Sequence, residues 1–319
     1  MSSTDKTTIL KNILGTYQQS GEECLFNCPK CKHHKRKLSV NIDKNVYKCW
    51  ICEYSGNNIA RLVRRYGDFN QKREWQHLTG QVDIGQFETI IETLFPEPEE
   101  DTPVTAELPN EFLSLANKGR TLLSTKARNY LIRRGITEED ILFWKIGYCH
   151  GGEYGGRIVI PSFNDDGDCN FFIARTYRND WRKYMNPPTA KSKIIFNELY
   201  IDWNEDLVLT EGVFDAIVAG KNSVPILGSS LKEYSRLFKS IIKNDTPVYV
   251  ALDQDAEEKA ADLIQNLIKY GAEVYKVDVT PYNDVGEMPK REFLKRKRAA
   301  RLITSEDAFV QKFISSFNF

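Results

Sequence analysis

Four cysteines fall into two pairs, Cys28-Pro-Lys-Cys31 and Cys49-Trp-Ile-Cys52, with 17 residues between them. Each C-x2-C turn presents two thiolates on one side, and two such turns complete a tetrahedron around one zinc ion at about 2.3 Å Zn–S. Four unrelated core cysteines are the plainer alternative, which the spacing disfavours. Cys24, His33 and His34 lie close by, but a tetrahedral site is already full, so they are expected to be surface or packing residues. Farther along, hydrophobic runs end in acids. Asp206-Leu-Val-Leu-Thr-Glu211 is followed by Gly212, Thr246-Pro-Val-Tyr-Val-Ala-Leu-Asp253 by Gln254-Asp255, and Glu273–Asp278 leads to Asp284 and Glu287. Crowded carboxylates repel, and hard divalent cations relieve the repulsion. Mg²⁺ held by a few carboxylates and substrate phosphates suits phosphoryl transfer. Asp255 alone would serve as a helix N-cap, whereas three acids at three successive strand ends exceed what capping explains. Asp215 falls one helical turn after Glu211 and either assists that group or caps and packs.

The elements that must position these groups follow from the flanking pattern. Lys37–Ile42 and Val46–Trp50 alternate like strands around the turn Asp43-Lys44-Asn45, a hairpin too small to hold without its metal. Structural zinc supplies on the order of 10–16 kcal/mol of apparent binding energy in such modules. In the second half, strand-like runs alternate with the helix-like segments VFDAIVAG and AEEKAADLIQNLIKYG, which implies a parallel sheet covered on both faces. Ligands sit at the carboxyl ends of such strands, so Glu211, Asp253, Asp255 and Asp284 are expected to converge at one edge. The fold class is α/β, α+β overall.

Forty-four basic side chains balance 44 acidic ones over 319 residues, yet the charges are sorted along the chain. Cys24–Arg65 holds ten Lys/Arg against two acids, a net of +8, while Val82–Asn117 holds nine acids and no Lys or Arg. Lys290–Arg301 carries seven basic residues against Glu292. The acidic stretch also contains Pro96, Pro98, Pro103 and Pro109, which predicts an extended linker over 96–110. Lysines around the cysteine turns, with Tyr47 and Trp50 between them, suit single-stranded nucleic acid through phosphate contacts and base stacking; an ordinary solvated face with Trp50 in the core is the alternative. No stretch approaches the ~18 consecutive apolar residues of a membrane helix, and the start lacks the apolar run of a signal peptide. No membrane partner and a cytoplasmic location are expected.

Glu211-Gly212 with Asp215, then Asp253-Gln254-Asp255, resemble the signature motifs of the Toprim fold, shared by bacterial-type primases, topoisomerases and some nucleases. Gly156-Arg157-Ile-Val-Ile-Pro161, the turn Asn164–Gly167, Phe172–Thr176 and Lys183-Tyr-Met-Asn-Pro187 resemble the basic subdomain of bacterial and phage replicative DNA primases. The cysteine ribbon followed by Gly56–Val63 resembles the zinc-binding domain that opens those proteins. The resemblance covers about two-thirds of the chain, in the family's order, and implies a zinc-binding domain over 1–95 (ribbon about 24–66) and the linker 96–110. It implies further a basic N-terminal subdomain of the primase core over 111–200, a Toprim domain over 201–288 and a C-terminal helical tail over 289–319.

The activity implied is copying of single-stranded DNA template into short RNA primers from ribonucleoside triphosphates. In that role Arg157, Arg175, Arg178, Arg182, Lys183 and Asn186 would line the nucleotide and template path. Glu211, Asp253 and Asp255, assisted by Asp215 and Asp284, would hold Mg²⁺ or Mn²⁺, a pair of ions roughly 3.5–4 Å apart. A replicative helicase is the implied protein partner. The lone-standing architecture, with no Walker-type G-x4-GK[ST] motif, points to a phage origin and hence the host cytoplasm. Two departures stand out: Cys31 where the bacterial pattern commonly has His, and Val285-Gly286-Glu287 after Asp284 where a second aspartate is usual. The basic run 290–301 is expected as a helicase- or DNA-contacting helix or a solvated one, and Asp307–Ile314 as a segment packed on it or a docking site. A Toprim nuclease would share the carboxylates without needing the Arg175–Lys183 region. A non-catalytic binding accessory would not need all the acids. A type IA topoisomerase would need strand-gate domains, for which about 30 residues after the acidic motifs are too few.

Overall fold

The computed structural model describes residues 3–56, 58–79, 104–117, 119, 121–228, 230–304 and 307. They form two compact units: the described residues up to 79 with 266–273, and those from 104 to 265 with those from 274 on. No helix among the described residues is long and apolar enough to cross a membrane. Residues 96–103 of the expected linker, and 308–314 of the C-terminal segment, lie outside the described residues.

The first unit opens with helix α1 (Ser3–Leu14) and continues into a five-stranded antiparallel sheet. Its strands, in spatial order, are β1 (Gln18–Ser20), β2 (Glu23–Phe26), β3 (Leu38–Asn41), β4 (Val46–Cys49) and β5 (Ser55–Gly56), followed by α2 (Ala60–Tyr66) and α3 (Phe69–Thr79). The expected hairpin is β3–β4, with Leu38 opposite Cys49 and Asn45 taking a positive φ of 55° in the turn. It is larger than a bare ribbon. As the central strand, β3 is buried at all four positions, and its two polar side chains, Ser39 and Asn41, donate to the Glu23 carboxylate at 2.7 and 2.9 Å. Leu10, Phe26, Leu38, Val40, Leu62, Val63 and Trp75 knit helices and sheet into one core.

The second unit begins with an antiparallel sheet. Strand β6 (Phe112–Ser114) precedes helices α4 (Leu122–Arg133) and α5 (Glu138–Phe143), then β7 (Gly147–Cys149), β8 (Arg157–Phe163), β9 (Cys169–Thr176) and β10 (Tyr184–Met185). The spatial order is β10-β9-β8-β7-β6. Thr121 and Thr137 accept from the backbone N–H groups of Ser124 and Asp140, which fixes the starts of both helices. The β8–β9 hairpin closes through Gly167 at φ +91°, as the Asn164–Gly167 run predicts. The described end of the proline-rich stretch lies along this sheet: Ala106 donates to the Cys169 carbonyl at 2.8 Å, and Leu108 packs on Cys149, Val159, Phe172 and Ala174.

A second sheet follows. Strand β11 (Leu207–Thr210) leads to α6 (Val213–Ala219), β12 (Ser223–Pro225), α7 (Arg236–Asn244), β13 (Val248–Ala251), α8 (Glu257–Lys269), β14 (Val274–Lys276), α9 (Lys290–Ala299) and β15 (Arg301–Leu302). In the order β12-β11-β13-β14-β15 the first four strands are parallel, and β15 closes the edge antiparallel. The fold is thus mixed α/β with the parallel sheet that the acid-terminated runs predict. The basic C-terminal run forms α9, which docks on this layer by one face and leaves Arg291, Lys295 and Arg298 exposed. Phe293 of α9 is fully buried with Val208, Val218, Val285 and Met288, and Arg296 donates to the Asp278 carbonyl at 2.8 Å.

Candidate functional site

In the first unit the four cysteine sulfurs lie within 4.8 Å of one another, with Cys28 Sγ 3.8 Å from Cys52 Sγ and Cys31 Sγ 3.9 Å from Cys49 Sγ. A tetrahedron with Zn–S bonds of about 2.3 Å has edges of about 3.8 Å, so the donor set and its spacing fit zinc. Lys32 and Glu53, each just after the second cysteine of a pair, take positive φ and turn the chain back on itself. Burial pushes the Cys28 thiol up to about 12. At Cys49 burial also raises the pKa, but the N–H groups of Cys52 and Ile51 together with the Cys52 and Cys28 side chains bring the thiol down to about 7. Cys24 is buried and donates to Gln19 Oε1, and His33 and His34 stack on each other with centroids 4.4 Å apart, all outside the cluster as expected. The two aromatics expected between the lysines separate. Trp50 is 65% exposed with Lys48 Nζ 5.0 Å from its ring centre, whereas Tyr47 is buried and belongs to the core.

In the second unit three acids meet at the carboxyl ends of the parallel strands. Glu211 follows β11, and Asp253 and Asp255 follow β13; oxygens of all three lie within 4.8 Å of one another. Glu211 Oε2 and Asp253 Oδ1 are buried and have no hydrogen-bond partner among the described residues. Asp253 makes no side-chain cap bond to the turn that follows it, so capping does not explain it. Buried carboxylate oxygens without donors are costly, and their convergence fits a hard divalent cation. Burial, with Asp215, Glu211, Asp284 and Asp255 nearby, raises Asp253 to about 7. Lys259 Nζ, 3.6 Å from Glu211 Oε1, supplies a partial counter-charge.

Asp215 and Asp284 sit beside this trio in a different capacity. Asp215 Oδ2 accepts from the Gly212 N–H at 2.9 Å and Oδ1 from the Gly286 N–H at 2.8 Å, so its carboxylate joins the start of α6 to the loop after β14. Burial, then Asp284, raises it to about 6 against those two N–H groups. Asp284 Oδ1 accepts from Glu287 N–H, and the Glu287 carboxylate in turn accepts from Asn283. Gln254 N–H donates to the Asn283 carbonyl at 2.9 Å, pinning the Asp253 turn to the same loop. Gly286 leaves room for that staple: a Cβ there would lie 2.8 Å from Asp215 Oδ1.

The basic residues occupy β8–β10 and the loop between β9 and β10. Arg175 lies 4.6 Å over the Tyr184 ring, Lys183 is exposed, and Asn186 Oδ1 accepts from the Ala174 N–H at 3.4 Å. Arg178 lies across Gly156, whose φ of +79° and lack of a Cβ make room for it. Arg157 is placed differently from the expectation. It is 3% exposed, and its guanidinium is taken up by Asp180 and the Arg182 carbonyl, both at 2.9 Å. Residues not singled out in the sequence link basic strand to acidic turn. Arg134 donates to the Tyr130 hydroxyl at 3.0 Å and lies over the Tyr130 and Phe214 rings at 5.3 and 4.8 Å, next to Asp215. Tyr184 and Tyr130 lie close enough to Arg175 to favour its charged form, and Arg134 favours the ionised form of Tyr184. No local motif marks this ladder, because its members come from three separate segments.

No family model matches the chain. Curated proteins named DNA primase do resemble it. That of Halalkalibacterium halodurans is 25% identical over an alignment 347 residues long including gaps, covering 84% of this chain and 57% of its own length. That of Thermotoga maritima is 27% identical over 342, covering 89% and 59%. The chain therefore spans less than two thirds of the length of these relatives. Among solved structures, a DnaG primase catalytic domain bound to ssDNA aligns with 62% of this chain and 77% of its own, at 19% identity and TM-score 0.51. The RNA polymerase domain of Mycobacterium tuberculosis DnaG aligns with 62% and 82%, at 14% identity and TM-score 0.50. The chain is similar in sequence to bacterial DNA primases and shares the fold of their catalytic core.

Proposed function

We propose that this chain is a DNA primase, a nucleotidyltransferase that builds short RNA on single-stranded DNA from ribonucleoside triphosphates. The observation that carries the proposal is the trio Glu211, Asp253 and Asp255, with two buried oxygens lacking donors, joined through the Arg134 ladder to the Arg175–Lys183 strand pair. Relatives named DNA primase across most of the chain's length support the same activity. Arg175, Arg178 and Lys183 would meet the phosphates of nucleotide and template, and Asn186 would steady the strand pair. Arg157 would act from behind, shaping the loop that carries Arg178 and Arg182. Divalent cation held by the trio would neutralise phosphate oxygens and acidify the attacking 3′-hydroxyl. Asp253 would be ionised when it holds the cation, and Asp215 would keep the strand ends in register. A second ion would draw on Asp284 in addition to the trio. The zinc-clamped unit would hold template through Lys48 and the exposed Trp50. Within the proposal the setting is DNA replication in the cytoplasm, phage-borne, beside a replicative helicase.

The test is incubation of the full chain with single-stranded DNA, labelled ribonucleotides and Mg²⁺. Short labelled RNA is expected, and it should vanish in Asp253→Asn. RNA synthesis that survives the substitution, or shortened DNA with no RNA made, would overturn the proposal, the second result in favour of a Toprim nuclease.

A further inference from the structure

Trp181 is 86% exposed, and no large apolar side chain among the described residues is more so. A single exposed indole on a loose loop needs no explanation, but this loop is held from inside. Arg157 reaches up from the first position of β8, with Nη1 donating to the Arg182 carbonyl and Nη2 to Asp180 Oδ2, both at 2.9 Å. Asp180 Oδ1 accepts from the Arg182 N–H at 2.9 Å, and Thr176 Oγ1 accepts from the Arg178 N–H at 3.1 Å. A buried guanidinium is costly unless its donors are matched. Here they are matched to the residues on either side of Trp181. The loop is thus built to present the indole to solvent.

The surroundings select what the indole meets. The Arg182 guanidinium lies 5.0 Å from its ring centre, and Arg178 and Lys183 flank the loop. The one acid among them, Asp180, is already committed to Arg157. A flat apolar ring set among cations matches a base between phosphates, and an apolar protein face would leave those cations facing nothing. We propose that Trp181 is a stacking platform for one base of single-stranded nucleic acid, with Arg182 and Lys183 gripping the adjoining phosphates. The inference rests on the primase reading and deepens it by naming a residue that the template would touch.

Stacking of one base on an aromatic ring corresponds to a loss of about 5- to 150-fold in affinity when the ring is removed. The full zinc-loaded chain is titrated against a fluorescent oligo-dT in Mg-free buffer, so that binding is read without chemistry. Trp181→Ala should weaken binding at least about 5-fold, and Trp181→Phe should restore most of it. An indole carries no charge, so the dependence of log K on log salt should keep its slope in Trp181→Ala and become shallower by about one unit in Arg182→Gln. The zinc content and unfolding midpoint of Trp181→Ala should match the parent, since so exposed a side chain carries little packing.

Unchanged oligo-dT affinity in Trp181→Ala would overturn the inference while leaving the primase reading intact. An equal loss on blunt duplex DNA, which offers no unstacked base, would overturn it too. So would unchanged DNA affinity with lowered self-association, which would assign the indole to a second copy of the chain. Failure of the parent chain to bind oligo-dT at all would instead sink the primase reading on which the inference depends.

Discussion

Asp253→Asn should make the metal-free chain more stable while removing its activity. Asp253 rises from the ordinary carboxylate value of 3.8 to about 7, through burial first and then through Asp215, Glu211, Asp284 and Asp255. A shift of about three units corresponds to about 4 kcal/mol against the folded ionised state. The group is only half-buried, so solvent screening cuts this to roughly 1–2 kcal/mol. Asparagine has the same shape without the charge, and the carboxylate it replaces makes no cap bond that would be lost. The sign follows from proton binding. Between about pH 4 and 7 the folded chain holds a proton that the unfolded chain has released, so stability falls as pH rises through that window and levels off above it. The advantage of the variant should therefore be largest above pH 7 and shrink toward pH 4. The measurement is the urea or thermal midpoint in Mg-free buffer without chelator, which keeps zinc in place. Added Mg²⁺ should stabilise the parent by mass action and the variant far less. A variant less stable than the parent at pH 8, or an advantage that does not shrink by pH 5, would refute the picture of a repulsive, cation-seeking trio.

Metal-replete protein should contain one zinc per chain; Cys49→Ser should lose it and unfold the N-terminal unit, whereas Cys24→Ser should keep it, as read by metal analysis and circular dichroism. Arg157→Ala should cost about 2–4 kcal/mol in urea unfolding, because the guanidinium is buried and bridges Asp180 to the Arg182 carbonyl. Arg157→Lys should recover little of this, lacking the planar fork. Gly286→Asp, which would supply the second aspartate usual in the family, should destabilise by about 1–3 kcal/mol and raise no activity, since its Cβ would meet Asp215 Oδ1 at 2.8 Å and Asp284 Oδ1 at 3.3 Å.

The parts of the site that were legible in the sequence are those fixed by local pattern. The cysteine spacing defines the sulfur tetrahedron, and the unbroken apolar runs of β11 and β13 place Glu211 and Asp253 at strand ends. What was not legible depends on partners distant in the chain. Arg157 looks like a surface cation at the head of a strand until Asp180, 23 residues on, closes over it. Tyr47 stands among lysines in the sequence, but it shares the inward face of β4 with Cys49, and β5 covers it: a Cβ on Gly56 would lie 2.6 Å from the Tyr47 hydroxyl. The run 290–301 reads as charge because Phe293 is its one fully buried side chain, with Ala300 partly buried beside the same cluster.

Asp215 shows why a count of acids misleads. By spacing it belongs with Glu211, and by geometry it serves the backbone, both oxygens being spent on the N–H groups of Gly212 and Gly286. Each bond ties down a different strand end, and Gln254 ties the third to the same loop. Mutual repulsion would spread four free carboxylates, whereas one acid used as a staple lets three others stay close. The staple also accounts for the glycine at 286, because the Asp215 carboxylate already fills the space that a side chain there would need. Asp215 is therefore a positioning group, and the oxygens left for a cation are those of Glu211, Asp253 and Asp255, which the staple holds together.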